Sequence, residues 1–296
     1  MRIHNLIIVF LLISGSVLAQ DNEAMIDQMG SGLSAEVTQI GELQSADIFQ
    51  DGNELDAFVS QQGFQNEVYL VQSGNGNATS VYQDGSHEAM ITQSGIENTL
   101  TINQSGTLEG ANNGPLPHPA FGSNGVPFQT NNGNSSGSSL AQIQQQGQES
   151  EIVLNQYGSH NANITQDGSS NSILVDQVGT SGGYEFNPPG NGNPNPPPFQ
   201  SGGISYDGAY AMINQFGDEN NIELYQEGDN TADIYQQGAG NVALINQFYG
   251  SSGGSSLVDL IQIGSGNTAD ITQSGYGQAA IIEQIGSGNT IFINQY

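Results

Sequence analysis

Hydrophobic and polar residues alternate along most of this chain, in short segments that recur every ten or eleven residues. Each segment places two aliphatic residues and a glutamine at every second position, and a glycine follows two residues after the glutamine. Val258, Leu260 and Gln262 form one such segment, and Gln273 marks the next, eleven residues later. A period of two predicts a short β-strand with one buried and one solvent-facing side.

Aligned on the glutamine, the chain contains twenty copies of this segment. The residue two positions before the glutamine is always Ile, Val or Leu, and the residue four positions before it is aliphatic in every copy except the one with Thr79. No acidic residue occupies either aliphatic position. The glutamines are Gln28, Gln39, Gln50, Gln61, Gln72, Gln83, Gln93, Gln104, Gln145, Gln156, Gln166, Gln177, Gln215, Gln226, Gln236, Gln247, Gln262, Gln273, Gln284 and Gln295.

The distances between successive glutamines indicate how the strands are grouped. Every link from an odd-numbered to an even-numbered copy is eleven residues long, whereas all links of other lengths run from an even to an odd copy. Equivalent strands would not separate by parity in this way. The chain is therefore predicted to be all-β: a β-solenoid of about ten rungs, each with two strands, an invariant internal turn and a tolerant link to the next rung.

Three stretches interrupt the repeats, and their composition is typical of loops. All ten prolines lie in residues 107–138 and 180–208, and residues 250–256 are rich in Gly and Ser. Proline removes a hydrogen-bond donor and is disfavoured inside a sheet, so we expect these Gly/Pro/Ser/Asn-rich insertions to project from one edge of the solenoid. The predicted division is 1–19 signal peptide, 20–106 rungs 1–4, 107–138 insertion, 139–179 rungs 5–6, 180–208 insertion, 209–249 rungs 7–8, 250–256 loop and 257–296 rungs 9–10.

The first nineteen residues have the features of a secretory signal. Arg2 gives a positive start, residues 6–13 are apolar, and Val17, Leu18 and Ala19 resemble a cleavage site. The apolar run is too short to span a bilayer as a helix, which argues against the alternative of a membrane anchor. No later segment could span a membrane as a helix, so we expect no transmembrane insertion and a mature protein that is exported.

Charge and composition exclude several classes of function. The net charge is −28, Arg2 is the only residue among Lys and Arg, and there is no cysteine. Once Arg2 leaves with the signal peptide, the mature chain has no basic patch with which to hold nucleic acid phosphates. A chain without thiols has no disulfide scaffold or thiolate metal site. The carboxylates fall at outward positions or turns, where no pocket would separate their pKa values. We therefore expect no enzyme activity and no cofactor. The four histidines, His4, His87, His118 and His160, are isolated in sequence and lack metal-binding spacing.

The predicted assembly motif is the column of inward glutamines. Stacked rungs place each glutamine on the next, so an amide ladder can run along the axis. Its predicted members are Gln50, Gln61, Gln72, Gln83, Gln156, Gln166, Gln215, Gln226, Gln236, Gln247, Gln262, Gln273, Gln284 and Gln295. Gly and Asn are expected to supply the left-handed backbone of the turns. The predicted repeat-turn residues are Gly238, Asn241, Gly264, Asn267, Gly286 and Asn289. No rung is stable alone, so the stability belongs to the stack. The first and last rungs expose unpaired strand edges, which are expected to be templates for another copy.

These repeats resemble the curlin repeat, the unit of curli functional amyloid, whose pattern is Gln-x-Gly-x-x-Asn-x-Ala-x-x-x-Gln. Two stretches match it fully, one from Gln236 to Gln247 and one from Gln262 to Gln273. The resemblance covers about residues 28–106, 139–179, 209–249 and 257–296. It implies a secreted subunit that polymerises with itself into extracellular, cell-surface curli-like fibres of a bacterial biofilm matrix, supporting adhesion and cell aggregation. It also implies export through the periplasm and a curli-type outer-membrane secretion pore, and growth from a nucleator subunit.

Other functions stay open at this point. The chain could be a nucleator rather than the main subunit, a monomeric β-solenoid adhesin, or an ice- or surface-binding protein. A polysaccharide-processing β-helix enzyme would need larger rungs and a cleft with clustered charges. The high negative charge suggests that repulsion delays assembly until salt, low pH or divalent cations, which are candidate partners, reduce it.

Overall fold

The computed structural model describes residues 21–106, 138–179, 208–249, 255–275 and 277–296. The predicted signal peptide and nearly all of the three insertions lie outside these residues. The described residues form twenty β-strands and no helix. None of them belongs to a helix long and apolar enough to cross a membrane.

The odd-numbered strands form one ten-stranded sheet and the even-numbered strands form another. The first sheet contains β1 (Glu23–Ser31), β3 (Ser45–Asn53), β5 (Glu67–Asn75), β7 (Glu88–Ile96), β9 (Leu140–Gln148), β11 (Asn161–Ser169), β13 (Tyr210–Asp218), β15 (Thr231–Ala239), β17 (Leu257–Ser265) and β19 (Ala279–Ser287). The second contains β2 (Ser34–Glu42), β4 (Asp56–Phe64), β6 (Ala78–Gly85), β8 (Thr99–Ser105), β10 (Glu151–Tyr157), β12 (Ser172–Val178), β14 (Asn221–Glu227), β16 (Val242–Tyr249), β18 (Thr268–Gly275) and β20 (Thr290–Gln295).

Every pairing within the two sheets is parallel and keeps the repeats in register. In β15 and β17, for example, Ile234 pairs with Leu260 and Gln236 pairs with Gln262. The register passes unchanged across the insertions: β8 pairs with β10 and β7 pairs with β9. The prediction of a β-solenoid with two strands per rung is confirmed.

The core is a single thin layer of aliphatic side chains between the two sheets. In β15, Ala232, Ile234 and Gln236 are buried, while Asp233 and Tyr235 between them are partly exposed. This alternation follows from the pleat, which points successive side chains to opposite faces. At the first and last rungs the same inward positions, such as Ile26 and Ile293, are only partly buried, because no further rung covers them within the described chain.

Two kinds of corner connect the strands, and their backbone differs in part from the expectation. The glycine two residues after the repeat glutamine has a positive φ in most repeats, for example 125° at Gly264. The expectation that the turn asparagine also takes the left-handed conformation is wrong. That conformation lies one residue earlier, at Gly240 before Asn241 and at Glu219 (φ 55°) before Asn220. The asparagine side chains instead point into the solenoid, where Asn241 and Asn267 are buried and Asn289 in the last rung is partly buried.

Two glycines of one corner should respond very differently to alanine. A Cβ on Gly264 would overlap the carbonyl oxygen of Gly286 on the next rung, whereas a Cβ on Gly266 (φ 64°) would meet no atom within 4 Å. We expect Gly266→Ala to cost about 1 kcal/mol for the left-handed backbone. Gly264→Ala should cost about 3 kcal/mol or more, because two rungs must also move apart. Guanidinium chloride unfolding followed by circular dichroism measures both, and equal midpoints would contradict the close stacking.

Candidate functional site

The inward glutamines form two continuous ladders, one in each sheet. In the odd sheet each Nε2 donates to Oε1 of the glutamine one rung closer to the C-terminus, from Gln28 to Gln284, over distances of 2.6–3.0 Å. In the even sheet the same bonds run from Gln39 to Gln295 over 2.8–3.0 Å. The structure therefore brings together every glutamine that the sequence assigned to the assembly motif.

From Gln39 to Gln295, the second N–H of the amide group connects the two sheets. Gln50 Nε2 donates to the carbonyl oxygen of Ser34 at the start of β2, at 3.0 Å, and Gln61 Nε2 donates to that of Ser45 at the start of β3, at 2.8 Å. Both N–H groups and the oxygen of an interior glutamine are thus satisfied although its side chain is buried. An unpaired buried amide would cost about 1–3 kcal/mol. The ladder therefore specifies both the register of the strands within each sheet and the alignment of the two sheets against each other.

The ladders also have a direction. Donors point toward the C-terminal end and acceptors point toward the N-terminal end in every interval of both ladders. Reversing one glutamine would put two donors or two acceptors face to face. A column of this kind can be continued by another copy only if that copy has the same orientation.

The first corner, between the two strands of a rung, carries a second ladder of amide side chains. Asn241 donates from Nδ2 to the carbonyl oxygen of Gly264 on the next rung, at 3.1 Å, and its Oδ1 accepts the backbone N–H of Asn267, at 3.1 Å. Asn267 donates in the same way to Gly286 at 3.1 Å. The repeat-turn residues predicted from sequence therefore lie in one hydrogen-bonded column: Gly238, Asn241, Gly264, Asn267, Gly286 and Asn289.

The second corner, from an even strand to the next rung, contains a column that the sequence did not reveal. Its inward residues are Asn22, Gln44, Asn66, His87, Ser139, His160, Ala209, Asn230, Ser256 and Gln278. His87 and His160, isolated in sequence, occupy this column on either side of Ser139, and both are buried. The sequence signal that could have revealed this column is the position of each histidine within the repeat. Each histidine stands four residues after a repeat glutamine, as Asn230 does.

Each buried imidazole has partners at both nitrogens. Nδ1 of His87 accepts the backbone N–H of Ser139 at 3.1 Å, and its Nε2 lies 3.0 Å from the carbonyl oxygen of Asp84. Because a backbone N–H can only donate, Nδ1 must be unprotonated and Nε2 must carry the proton. Burial lowers the pKa of both histidines, that of His160 to about 4.

Carboxylates line the outer faces, where some are stacked in register. Asp233 pairs with Asp259 on the next rung. Its pKa is raised, first by burial and then by the negative charge of Asp259. Burial also raises the pKa of Asp176, although Asn155 donates a hydrogen bond to it at 2.6 Å. Within the described ranges no three His, Asp or Glu side chains are grouped so that they could hold a metal ion.

Strand β9 offers a matched test of the ladder, because inward Gln145 is adjacent to outward, exposed Gln144. Gln145 accepts from Gln93 at 2.9 Å and donates to Gln166 at 2.9 Å. We expect Gln145→Ala to destabilise the fold by about 3 kcal/mol or more, since both neighbours lose a buried partner, and Gln144→Ala by less than about 0.5 kcal/mol. Chemical unfolding of both variants checks this, and a similar loss for the two would contradict the importance of the ladder.

Comparison with known proteins places the repeats in a family. The model of the curlin associated repeat matches residues 19–52, 33–63, 52–85, 229–264 and 264–296. These matches cover the first three rungs and the last rungs of the solenoid. A search of curated proteins found no match. The family matches, the glutamine ladders and the two-strand rungs agree, and the matched repeats of this chain belong to the curlin repeat family.

Proposed function

We propose that this protein is a structural subunit that joins end to end with further copies to form extracellular curli-like amyloid fibres. The observation that carries the proposal is the match between the two ends of the solenoid. Within the described chain, β1 and β2 have an unpaired outer edge at one end of the solenoid, and β19 and β20 have an unpaired outer edge at the other end. Parallel pairing of β19 with β1, and of β20 with β2, would continue both sheets with unchanged register.

The polarity of the ladders supports this head-to-tail junction. Gln284 Nε2 donates to the carbonyl oxygen of Thr268, like the interior glutamines, and in that geometry its second N–H points out of the C-terminal end. Gln28 at the other end donates to Gln50, so its Oε1 faces outward to accept. Joining like ends would oppose two donors or two acceptors, and joining unlike ends completes the ladder.

The outer faces of the two ends are also complementary. In the register of the other rungs, Ile281 would pair with Met25, and Ile285 with Met29, of the next copy. Ile281 is 76% exposed, Ile285 64% and Met29 65%. Covering these side chains would remove apolar surface from water at about 25 cal/mol per Å², in addition to the main-chain hydrogen bonds of two new strand pairs.

The proposed location and partners follow from the sequence features and the family. The signal-like N-terminus supports export to the periplasm, and the resemblance supports passage through a curli-type outer-membrane pore and nucleation at the cell surface. The fibres would then contribute to a biofilm matrix, adhesion and cell aggregation. The well-formed final repeats favour the role of main subunit over that of nucleator.

A monomeric adhesin is the second candidate, favoured by aromatic pairs on the outer faces. Phe216 and Tyr235 lie 5.8 Å apart between ring centroids on the odd sheet, and Tyr225 and Phe248 lie 5.5 Å apart on the even sheet. Negative-stain microscopy of the purified protein separates the two candidates. Fibres with cross-β diffraction support the first, and persistent monomers support the second.

A proline at Phe292 should block growth without unfolding the subunit. The N–H of Thr268 donates toward the next rung, to the carbonyl oxygen of Asn289. The equivalent N–H of Thr290, and by alternation that of Phe292, therefore points out of the C-terminal end. Proline is tolerated where the N–H of an edge strand faces solvent. We expect Phe292→Pro to keep the circular dichroism of the subunit and to lose at least ten-fold in seeded elongation rate, measured with thioflavin T.

The matched control is Phe292→Ala, which removes the same exposed ring but keeps the N–H. It should elongate at more than half of the rate of the unchanged protein. Elongation of Phe292→Pro at that same rate would show that growth does not use the β20 edge.

Salt dependence should come in part from one carboxylate pair at the junction. Glu283 would face Asp27 of the next copy, while the eight side chains between them in this column are uncharged: Phe49, Val71, Thr92, Gln144, Thr165, Asn214, Tyr235 and Ile261. Salt screens the repulsion between two negative charges of this kind. We expect Glu283→Gln to speed elongation several-fold at low salt and to weaken its dependence on added sodium or calcium chloride.

Glu223→Gln removes an exposed charge far from both ends and is the control for net charge. It should leave the salt dependence near that of the unchanged protein. Equal effects of the two substitutions would assign the salt dependence to net charge rather than to the junction.

A further inference from the structure

The three insertions share a feature that neither the repeat pattern nor the family explains. One rung before each insertion, the second corner is one residue shorter than it is in the rungs without a neighbouring insertion. The ten-residue links Gln83–Gln93, Gln156–Gln166 and Gln226–Gln236 precede the long links that begin at Gln104, Gln177 and Gln247. A short corner is thus stacked directly beside the place where the chain returns from an insertion.

The inward side chain of each short corner binds that returning segment. His87 Nδ1 accepts the N–H of Ser139, at 3.1 Å, and His160 Nδ1 accepts the N–H of Ala209, at 3.0 Å. In the third short corner the side-chain oxygen of Asn230 accepts the N–H of Ser256 at 2.9 Å.

Each of these side chains also donates to the carbonyl oxygen three residues before it. The distances are 3.0 Å for His87, 2.9 Å for His160 and 2.8 Å for Asn230. The three corners are therefore built in the same way: a side chain fixed to its own corner accepts the N–H of the second described residue after an insertion. Imidazole and carboxamide are interchangeable in this arrangement, but only imidazole can gain a proton.

We propose that His87 and His160 are acid-sensitive latches, which hold the start of the returning chain at Ser139 and Ala209 to the solenoid when neutral and release it when protonated. A proton on Nδ1 replaces the acceptor by a donor, so the bond to the backbone N–H is lost and two N–H groups face each other. Asn230 is the corresponding latch that acid does not open. This inference concerns the folded subunit and does not depend on fibre growth.

Burial favours the neutral ring at both latches, and the carboxylate of Asp84 on the same corner opposes this at His87. Glu67 and Glu88, which begin β5 and β7, also lie near His87. Near His160 lie Tyr157 on its own corner and His87 two rungs away. The described parts of the insertion-bearing corners, Ser138 with Ser139 and Gly208 with Ala209, contribute no titratable side chain.

Acid should weaken the latches within a defined pH range. The pKa of His160 falls from 6.5 to about 4 in the folded protein, because burial disfavours the charged ring. Above pH 6.5 the ring is neutral whether the corner is closed or open. As the pH falls from 6.5 toward 4, the open form binds a proton that the closed form does not, so closure is progressively disfavoured. The full effect is a factor of roughly one hundred or more in the opening equilibrium.

Hydrogen–deuterium exchange with mass spectrometry tests this on residues 20–296, which include every described residue. Exchange is compared at pH 7 and pH 4 after correction for the intrinsic rates. We expect protection of the peptide that begins at Ala209 to fall on the order of one hundred-fold, and protection of the peptide that begins at Ser139 to fall in the same direction. The peptide that contains Ser256, held by Asn230, should lose far less.

The matched control is the double variant His87→Asn and His160→Asn, which copies the Asn230 corner. It should keep protection at Ser139 and Ala209 at both pH values, although every carboxylate still titrates. The double variant to alanine lacks the acceptors and should be unprotected at both. Equal losses in the unchanged protein and the asparagine variant, or no loss in either, would overturn the proposal.

A second measurement serves if the asparagine variant does not fold. Carbon-13 labelling of the histidine rings follows their titration directly in the unchanged protein by nuclear magnetic resonance. The latch predicts one ring that titrates near pH 4. Titration of every ring near 6.5 would show that the imidazoles are free to take up protons, and would overturn the proposal.

Discussion

The structure depends on one requirement: each buried glutamine amide must lie directly on the amide of the next rung. A carboxamide has two donors and two acceptor sites, and burial makes each unpaired group costly. In-register stacking satisfies them at once, through one bond along the axis and one across the core. A slip of one residue would turn the amides outward and the charged side chains inward. The constant eleven-residue step between the two strands of a rung follows from this requirement.

The same requirement explains where the chain tolerates change. The first corner is closed by the asparagine ladder and by glycines that approach the next rung closely, so its length never varies. The second corner has a more varied column, in which Ser139, His160 and Ala209 follow one another. All three insertions leave from this side. The register continues across them, and at each return the side chain of a shortened corner binds a backbone N–H of the returning chain.

Much of this architecture could be predicted from the sequence because a strict period makes it visible. The alternation of hydrophobic and polar residues predicted the strands, and the separation of link lengths by parity predicted the two-strand rungs. The inward position of Gln236 predicted its place in the ladder. The role of Asn241 was misjudged, since propensity assigns asparagine to left-handed turns whereas its amide is needed as a buried partner. His87 and His160 were missed because their neighbours in the column, Ser139 and Ala209, are 52 and 49 residues away in sequence.

The proposed function requires each subunit to add a complete solenoid to the fibre rather than a single layer. Ten rungs spaced ~4.8 Å apart give a subunit about 48 Å long. Mass per length from scanning transmission electron microscopy of unstained single fibres tests this most directly. For a chain of 31.0 kDa the account predicts roughly 0.6 kDa per Å in each protofilament, one subunit for every ~48 Å. A value near 6 kDa per Å, one chain for every ~4.8 Å layer, would contradict it.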